Sequence, residues 1–472
     1  MKILLITGKL AERDVRKYGK NADVYVVDID VAAFITPSHL KNIKFNGYDL
    51  VLVPGLTKDC DWESFERQRG VKIRLGPIHA YDLKTVLDNV ENIEFSHEIP
   101  ACRLLNFVKA KETIEMVDKI KDCRFKIGDV KIGGRMKVVA EIVNAIMPKD
   151  DLIQRIEYYK KSGADIIDLG IPLEFDVGEL KKAVKVAVDQ CNALSIDTFN
   201  PKAIEIGINS GVDMVMSISY KNLKALDYIK NVAVVVVERN LEKLSRLIEK
   251  VREKTDKVIA DPVLDAPLKV TESILRYYEF RKFDSETPLL FGVGNVTELV
   301  DADSIGLNAL LALIAEEIGI DLLFTTEASP KTVGSVKELK IATYMAKAAK
   351  LRNSPPKDLG LSLLAIKDKI KYETESIPGN YVEAVENREF IRDPLGDFII
   401  WVAGDKIVCK HEKLNVVGVN AKEIVDTVLA NNLLSRLDHA AYLGRELKKA
   451  EIALKLKKNY IQDREIDFGF YD

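Results

Sequence analysis

Between residues 138 and 350 the sequence alternates eight times between a short apolar run and a longer segment with helical periodicity. The apolar runs are 138–145, 165–170, 193–197, 213–219, 232–237, 257–261, 288–294 and 321–326. They begin on average about 26 residues apart, which suits one strand–helix unit of a TIM barrel. Because strands that are apolar throughout belong to a parallel sheet covered on both faces, the pattern predicts an α/β fold with a central (β/α)8 barrel. An open, doubly wound sheet is the alternative, but it would not favour eight such even units.

The segment before the barrel, residues 1–125, has its own α/β pattern. Short apolar runs at 2–7, 23–28 and 49–55 alternate with amphipathic stretches, which predicts a small parallel domain of the flavodoxin or Rossmann type. Thr7-Gly8-Lys9 follows the first run, as a phosphate-binding loop would. It lacks the upstream glycine of such a loop, so an ordinary turn is the favoured interpretation.

The segment after the barrel predicts a small α+β domain. The Pro355-Pro356 pair ends the helical pattern of the barrel, because proline cannot continue a helix. A hairpin is predicted from the runs 398–402 and 406–411, and two helices should follow it. The predicted domains are therefore 1–125, 135–350 and 361–472.

The composition excludes several classes of protein. Lys and Arg number 70 and Asp and Glu 73, so the net charge of −3 argues against a dedicated nucleic-acid-binding protein. No apolar run approaches the roughly 18 residues of a membrane span, and the first residues indicate a strand rather than a secretion signal. The five cysteines include no CxxC pair, which argues against a disulfide framework and indicates a reducing compartment. We expect a cytoplasmic protein that binds neither nucleic acid nor a membrane.

Polar side chains recur at the carboxyl ends of the predicted barrel strands, where the sites of TIM barrels lie. They are Glu141, Asn144, Asp168, Asp197, Ser217, Asp261 and Asn295. The set contains no His or Cys, so no metal site is predicted. Carboxylates and amides suit a flat heterocycle, because an aspartate accepts two parallel N–H hydrogen bonds. Turn formation is the alternative role for Asp197 and Asp261, since a short loop follows each of them.

Three of these strands carry motifs of a known superfamily. Residues 163–170 (GADIIDLG), 195–198 (SIDT) and 260–262 (ADP) resemble strands 2, 3 and 6 of the pterin-binding barrels. That superfamily comprises the dihydropteroate synthases and the methyltransferases that use methyltetrahydrofolate or methyltetrahydropterin. The resemblance implies that Asp197 and Asp261 bind a pterin. The whole chain, with one domain before the barrel and one behind it, resembles the archaeal dihydropteroate synthase-related proteins.

Within that superfamily the resemblance is closer to the methyltransferases. Residues 140–144 (AEIVN) and 294–297 (GNVT) are similar to the methyltransferase motifs on strands 1 and 7, whereas the basic loops of a synthase are absent. The resemblance implies that Glu141 and Asn144 bind the pterin. It also implies that Asn295 lies beside N5 of the pterin and is catalytic, because it can follow the change in N5 protonation during methyl transfer.

Two departures from the methyltransferase pattern concern strands 1 and 4. Ile142 replaces an arginine, and Met216 occupies the position of an expected asparagine. Ser217 comes next and is included among the expected pterin-binding residues. The resemblance therefore implies one amide contact to the pterin fewer than in the methyltransferases.

We expect a homodimer that binds a reduced pterin, of the tetrahydrofolate or tetrahydromethanopterin type, and transfers a methyl or one-carbon group. Asp438-His439-Ala440 does not match a corrinoid-binding motif, so a corrinoid or thiol acceptor would come from a partner protein. One alternative is condensation of a hydroxymethyl-dihydropterin with an arylamine, as in the dihydropteroate synthases. The other is a non-catalytic pterin sensor or carrier, which Met216 favours.

Overall fold

The computed structural model describes residues 1–369, 381–386, 389 and 391–469. It comprises two compact units, Met1–Tyr372 and Glu373–Asp472. The first holds a parallel sheet and a parallel barrel, and the second holds an antiparallel sheet with helices. The predicted α/β class with a central barrel is confirmed. The domain boundaries 1–125, 135–350 and 361–472 stay a prediction, and part of the last range lies outside the described residues.

The first 120 residues form a four-stranded parallel sheet with helices. Its strands are β1 (Ile3–Thr7), β2 (Asp23–Val26), β3 (Leu50–Val53) and β4 (Ile73–Leu75), in the order β2-β1-β3-β4. Its helices are α1 (Glu12–Tyr18), α2 (Trp62–Arg69), α3 (Leu83–Asp88) and α4 (Ala101–Asp118). The first three strands were predicted, whereas β4, with Arg74 at its centre, was not. A short antiparallel hairpin, β5 (Phe125–Ile127) and β6 (Val130–Ile132), leads from α4 into the barrel.

Eight parallel strands form the barrel. They are β7 (Lys137–Ile142), β8 (Ile166–Gly170), β9 (Leu194–Asp197), β10 (Met214–Ile218), β11 (Ala233–Val237), β12 (Val258–Asp261), β13 (Leu290–Gly292) and β14 (Leu322–Thr326). Their order is β12-β11-β10-β9-β8-β7-β14-β13. A bridge between Ala260 and Leu289 joins β12 to the start of β13 and so closes the ring.

Helices surround this ring, as the sequence pattern predicts. They are α5 (Lys149–Ser162), α6 (Val177–Gln190), α7 (Pro201–Ser210), α8 (Leu241–Arg252), α9 (Val270–Phe283), α10 (Gly294–Thr297), α11 (Ser304–Ile318) and α12 (Ser335–Arg352). The connection from β10 to β11 differs from the prediction, because a 3-10 turn at Leu223–Asp227 takes the place of a helix.

Local signals in the sequence set the ends of these helices. The side chains of Asp176, Asn200 and Asn240 accept hydrogen bonds from backbone N–H groups of the first turns of α6, α7 and α8. Gly163 and Gly211 end α5 and α7 in the left-handed conformation, with φ of 99° and 105°. These side chains fix where α6, α7 and α8 begin, and the two glycines fix where α5 and α7 end.

Alternate strand residues belong to two apolar cores. One core lies between the strands and the helices, and it contains Val138, Ala140 and Ile142 of β7. The other fills the inside of the barrel, where inward residues of the strands pack against Ile127 and Ile132 of the β5–β6 hairpin. The inward residues are Val139, Ile166, Ala193, Met214, Met216, Ala233, Val235, Ile259, Leu290 and Leu322. The hairpin therefore closes the amino-terminal end of the barrel.

The second unit contains β15 (Ile399–Ala403), β16 (Lys406–Lys410), β17 (Asn415–Gly418), α13 (Ala421–Ala430) and α14 (Leu437–Leu456). The predicted hairpin and the two helices are present, and β17 was not predicted. Leu443, Leu447 and Ala450 of α14 are buried in the core beneath the sheet. Within the residues described here, no helix has the length and apolarity needed to cross a bilayer.

We predict that Ile127→Ala destabilises the barrel, because Ile127 is fully buried inside it. Truncating a large aliphatic side chain in a core that cannot collapse costs roughly 2–5 kcal/mol of unfolding free energy. Chemical denaturation monitored by circular dichroism measures the change. Lys126→Ala, at an exposed position of the same hairpin, is the control and should have little effect. Equal, small effects of both substitutions would show that the hairpin does not contribute to the barrel core.

Candidate active site

The strand-end carboxylates meet at the carboxyl-terminal mouth of the barrel. Glu141 pairs in register with Asp168 on the neighbouring strand, and Asp197 ends the next strand along. Glu141, Asp168 and Asp261 each lie two residues beyond an apolar residue of the inner core, as Glu141 does after Val139. Because side chains alternate between the two faces of a strand, these carboxylates form an acidic layer above that core.

A cavity of about 450 Å³ opens beside this layer, at the ends of β7, β8 and β9. It is lined by Glu141, Val143, Asn144, Gly170, Ile171, Leu173, Asp197, Thr198, Phe199 and Asn200. Of the residues predicted from the sequence, the cavity brings together Glu141, Asn144 and Asp197. Asn144 lies in the loop after β7 with a φ of 53°, a left-handed conformation that asparagine tolerates better than most residues. The cavity thus combines acidic and amide groups with exposed apolar walls.

Glu141, Asp168 and Asp197 form a tight cluster, which we call the acidic triad. One carboxylate oxygen from each lies within 4.8 Å of the others. Asp168 is completely buried; its Oδ1 accepts a hydrogen bond from the Ser195 hydroxyl, and its Oδ2 has no hydrogen-bond partner. In the described part of the chain, the ion pairs formed by lysine, arginine and histidine do not include any member of this triad.

Burial and mutual repulsion raise the pKa values of the triad. Burial raises the pKa of Glu141 to about 7, and the charges of Asp197 and Glu298 add to this effect. Burial, and then the charge of Asp261, raise the pKa of Asp197 to about 6. Burial followed by the charges of its two neighbours holds the pKa of Asp168 well above its usual range. Near neutral pH the triad must therefore either bind protons or receive a counter-charge from a ligand.

Asp261 ends β12 and is held by its own set of donors. Its Oδ1 accepts hydrogen bonds from the Tyr277 hydroxyl at 2.7 Å and from the backbone N–H of Val263 at 2.8 Å. Burial raises the pKa of Asp261 to about 6, although these hydrogen bonds oppose the shift. Val263 has a φ of 74°, which is unfavourable for a β-branched residue and is typical of functional loops. Arg276 braces this loop by donating to the carbonyls of Pro262 and Val263.

Asn295 lies at the mouth in the short helix α10. Its Nδ2 donates a hydrogen bond to the carbonyl of Leu264 at 2.8 Å, which joins the loops after β12 and β13. This bond leaves Oδ1 as the group that can accept a hydrogen bond from a ligand. Gly292 provides the space for the amide, because a Cβ atom there would lie 3.0 Å from Nδ2.

The inward position of β10 is filled by Met216, which packs in the inner core. Ser217 is 8% exposed, and its carbonyl accepts a hydrogen bond from Asn222 at 2.9 Å. Neither residue lines the cavity. Met216 pairs in register with Asp197 on the neighbouring strand, so Ser217 lies beside the mouth but outside the lining of this cavity.

Sequence reasoning did not identify the residues that support the site. Tyr277 and Arg276 lie in the middle of α9, and Ser195 lies in the interior of β9. A tyrosine on the buried face of a helix resembles any core residue in sequence. Ser195 could have been found from the sequence. It stands two residues before Asp197 on the same strand, so its hydroxyl faces the barrel interior as the Asp197 carboxylate does.

The fold and the acidic mouth define a (β/α)8-barrel protein whose site opens at the carboxyl ends of the strands. The chain is 40% identical to the uncharacterized protein MJ0107 of Methanocaldococcus jannaschii, over 98% of its own length and 98% of the relative's. The chain therefore belongs to the same protein family as MJ0107. The family model described as PterinBD-DUF4346 matches residues 392–463, which lie in the second unit. The description of this model names a pterin-binding domain, which agrees with the resemblance to the pterin-binding barrels that the sequence motifs carry.

Solved structures of dihydropteroate synthases are also similar to part of the chain. That of Yersinia pestis, in complex with a sulfonamide drug, is 16% identical with a TM-score of 0.39, covering 48% of this chain and 99% of that one. That of Vibrio fischeri is 18% identical with a TM-score of 0.39, covering 47% of this chain and 95% of that one.

We predict that Glu141→Gln becomes more stable relative to wild type as the pH rises. The folded pKa of about 7 lies above the ordinary value of 4.5, so the folded state holds this proton more tightly than the unfolded state. The stability due to Glu141 is complete below the ordinary pKa and is lost as the pH rises through the folded pKa. Relative to wild type, Glu141→Gln should therefore gain melting temperature as the pH rises from about 5 to about 8.

The control for this measurement is Glu253→Gln, an exposed position at the end of α8. Its melting temperature should keep a constant difference from wild type over the same pH range. Parallel curves for wild type and Glu141→Gln would contradict a raised pKa at Glu141.

Proposed function

We propose that the protein binds a reduced pterin, of the tetrahydrofolate or tetrahydromethanopterin type, in the barrel mouth. The observation that carries the proposal is the presence of two lumen carboxylates, Asp197 and Asp261, at strand ends on one mouth. A 2-amino-4-oxo-pyrimidine presents adjacent N–H groups, which are the complement of a carboxylate. The family model matched by this chain names a pterin-binding domain, which supports the same ligand class.

Asp261 is preorganised for this role. Its Oδ1 is already bonded to Tyr277 and Val263, which fixes the carboxylate plane and leaves Oδ2 for the ligand. Asp197 would bind a second N–H group from across the mouth. Glu141 and Asn144 line the adjoining cavity, where they would bind the polar edge of the second ring. A role for Ser217 in pterin binding stays a prediction.

We propose further that the bound pterin donates a methyl or one-carbon group. A methyl group on N5 becomes electrophilic when N5 gains positive charge. The Oδ1 of Asn295 would stabilise that charge, because the bond from Nδ2 to Leu264 holds the amide in a fixed orientation. The acceptor, a corrinoid or a thiol, would come from a partner protein. We expect a homodimer in the cytoplasm.

The alternatives to methyl transfer are a condensation reaction and non-catalytic pterin binding. Condensation of a hydroxymethyl-dihydropterin with an arylamine would use basic side chains in the loops to hold the leaving diphosphate, as the resemblance to the synthases implies. The loop after β8, residues 171–176, contains no basic residue, which disfavours this reaction.

A non-catalytic pterin carrier is favoured by Met216, because it fills an inward position where a polar contact would be expected.

We predict that Asp261→Asn weakens the binding of a reduced pterin by roughly ten- to a hundredfold. The substitution removes a charged acceptor from an edge of the pterin that does not react, and such hydrogen bonds are worth about 1.5–3 kcal/mol. Isothermal titration calorimetry with tetrahydrofolate and tetrahydromethanopterin measures the change. Glu174→Gln removes an exposed negative charge from the loop after β8 and should leave the affinity unchanged. Equal affinities of wild type and Asp261→Asn would refute the assignment of Asp261.

We predict the opposite pattern for Asn295→Ala. Pterin affinity should stay within about tenfold of wild type, while kcat for methyl transfer to free cobalamin, chemically reduced beforehand to the nucleophilic Co(I) form, should fall by about a hundredfold or more. The reason is that the amide acts mainly when charge develops at N5. Loss of affinity and kcat in equal measure, with a lowered melting temperature, would show that Asn295 only braces the loop at Leu264.

We also predict no condensation product from hydroxymethyl-dihydropterin diphosphate and 4-aminobenzoate. Chromatographic detection of dihydropteroate tests this directly. Turnover near 1 s⁻¹, in the ordinary range of enzymes, would instead favour the condensation alternative.

A further inference from the structure

Buried carboxylates away from the mouth are matched by cationic side chains. Asp165 forms ion pairs with Arg135 at 2.7 Å and with Lys340 at 2.9 Å. Glu316 forms one with Lys347 at 3.1 Å. This matching is the usual condition for burying a charge, because an unpaired buried charge is strongly unfavourable.

The acidic triad of Glu141, Asp168 and Asp197 has no such match among the residues that the structure describes. Within the described residues, the charged and titratable groups that act on the triad from outside are Glu298, Asp261 and Tyr159, and none of them carries a positive charge. The Asp168 Oδ2 atom is buried and without a hydrogen-bond partner, although the rest of its carboxylate is bonded to Ser195. An acceptor oxygen left bare beside two further carboxylates is a group that awaits a positively charged partner.

We propose that the acidic triad binds a divalent cation of the Mg²⁺ or Mn²⁺ type. Hard cations of this kind prefer carboxylate oxygens and retain water molecules in their remaining coordination positions. Three carboxylate oxygens within 4.8 Å of one another can serve one ion. The sequence predicted no metal site because the strand-end residues include no His or Cys. Their absence excludes only the softer metals, which need those ligands.

The position of the triad gives the cation access to a ligand. Glu141 and Asp197 line the 450 Å³ cavity, while Asp168 lies behind them at the base. The protein oxygens thus approach from the barrel side, and the cavity side remains for water or an anionic oxygen of a substrate. Asp197 has two oxygens, so one can bind the cation while the other accepts a pterin N–H group. The cation site itself needs no pterin.

The test is a titration of the full-length, metal-depleted chain with Mn²⁺ alone, followed by electron paramagnetic resonance of the free ion. Wild type should bind about one Mn²⁺ per chain, and Mg²⁺ should compete for the site. Asp168→Asn is nearly isosteric and should weaken binding by about tenfold or more, as loss of a ligand to the metal requires. Glu141→Gln should do the same, which provides a second variant if one of the two fails to fold.

Glu174→Gln is the control, since it removes an exposed carboxylate from the loop after β8, outside the triad. Its Mn²⁺ affinity should stay within about threefold of wild type. Absence of Mn²⁺ binding by wild type, or equal binding by wild type and Asp168→Asn, would overturn the proposal and show that the triad carries protons instead. Because no pterin is present in this titration, its failure is distinct from a failure of pterin binding.

Discussion

The closure of eight parallel strands in a fixed register is the constraint on which the site depends. Register pairs Glu141 with Asp168 and places Asp197 one strand further along, so three strands deliver their carboxylates to one point. Below them, inward apolar residues and the β5–β6 hairpin exclude water from the barrel. The carboxylates therefore lie between a dry core and an open cavity. Their pKa values rise because the core side offers no solvation and no counter-charge, and a ligand entering from the cavity can supply both.

The loops at the other side of the mouth are connected to one another rather than left independent. Asp261 is held by Tyr277, and the strained backbone at Val263 is braced by Arg276. Asn295 then joins this loop to the next through the carbonyl of Leu264. A site built in this way can hold its acceptors in position before a ligand arrives, which lowers the cost of ordering them on binding. Asn295 consequently has both a structural bond and a free acceptor oxygen, and its two roles use different atoms of one amide.

The apolar strand runs made the barrel predictable, because a buried parallel strand leaves a continuous signal in the sequence. The same signal placed Glu141, Asp197 and Asp261 at strand ends, where the topology brings them to one mouth. The β5–β6 hairpin was not predicted, since its strands of three residues alternate lysine with apolar residues and lack a long run. The acidic triad was not foreseen as a unit either. Its closeness depends on register across three strands, and the bare Oδ2 atom of Asp168 depends on the rotamer of one side chain. Tyr277 reaches Asp261 from a helix 16 residues away, a contact that no local pattern encodes.

The central claim is that the barrel mouth binds the pyrimidine edge of a reduced pterin. A crystal structure of the chain soaked with tetrahydrofolate or tetrahydromethanopterin tests it most directly. We expect ligand density in the mouth, with the 2-amino-4-oxo edge against Asp197 and Asp261 and the reduced ring toward Asn295. Density for the pterin on the second unit, within residues 392–463 matched by the family model, would contradict the account. So would a pterin in the mouth that contacts neither aspartate.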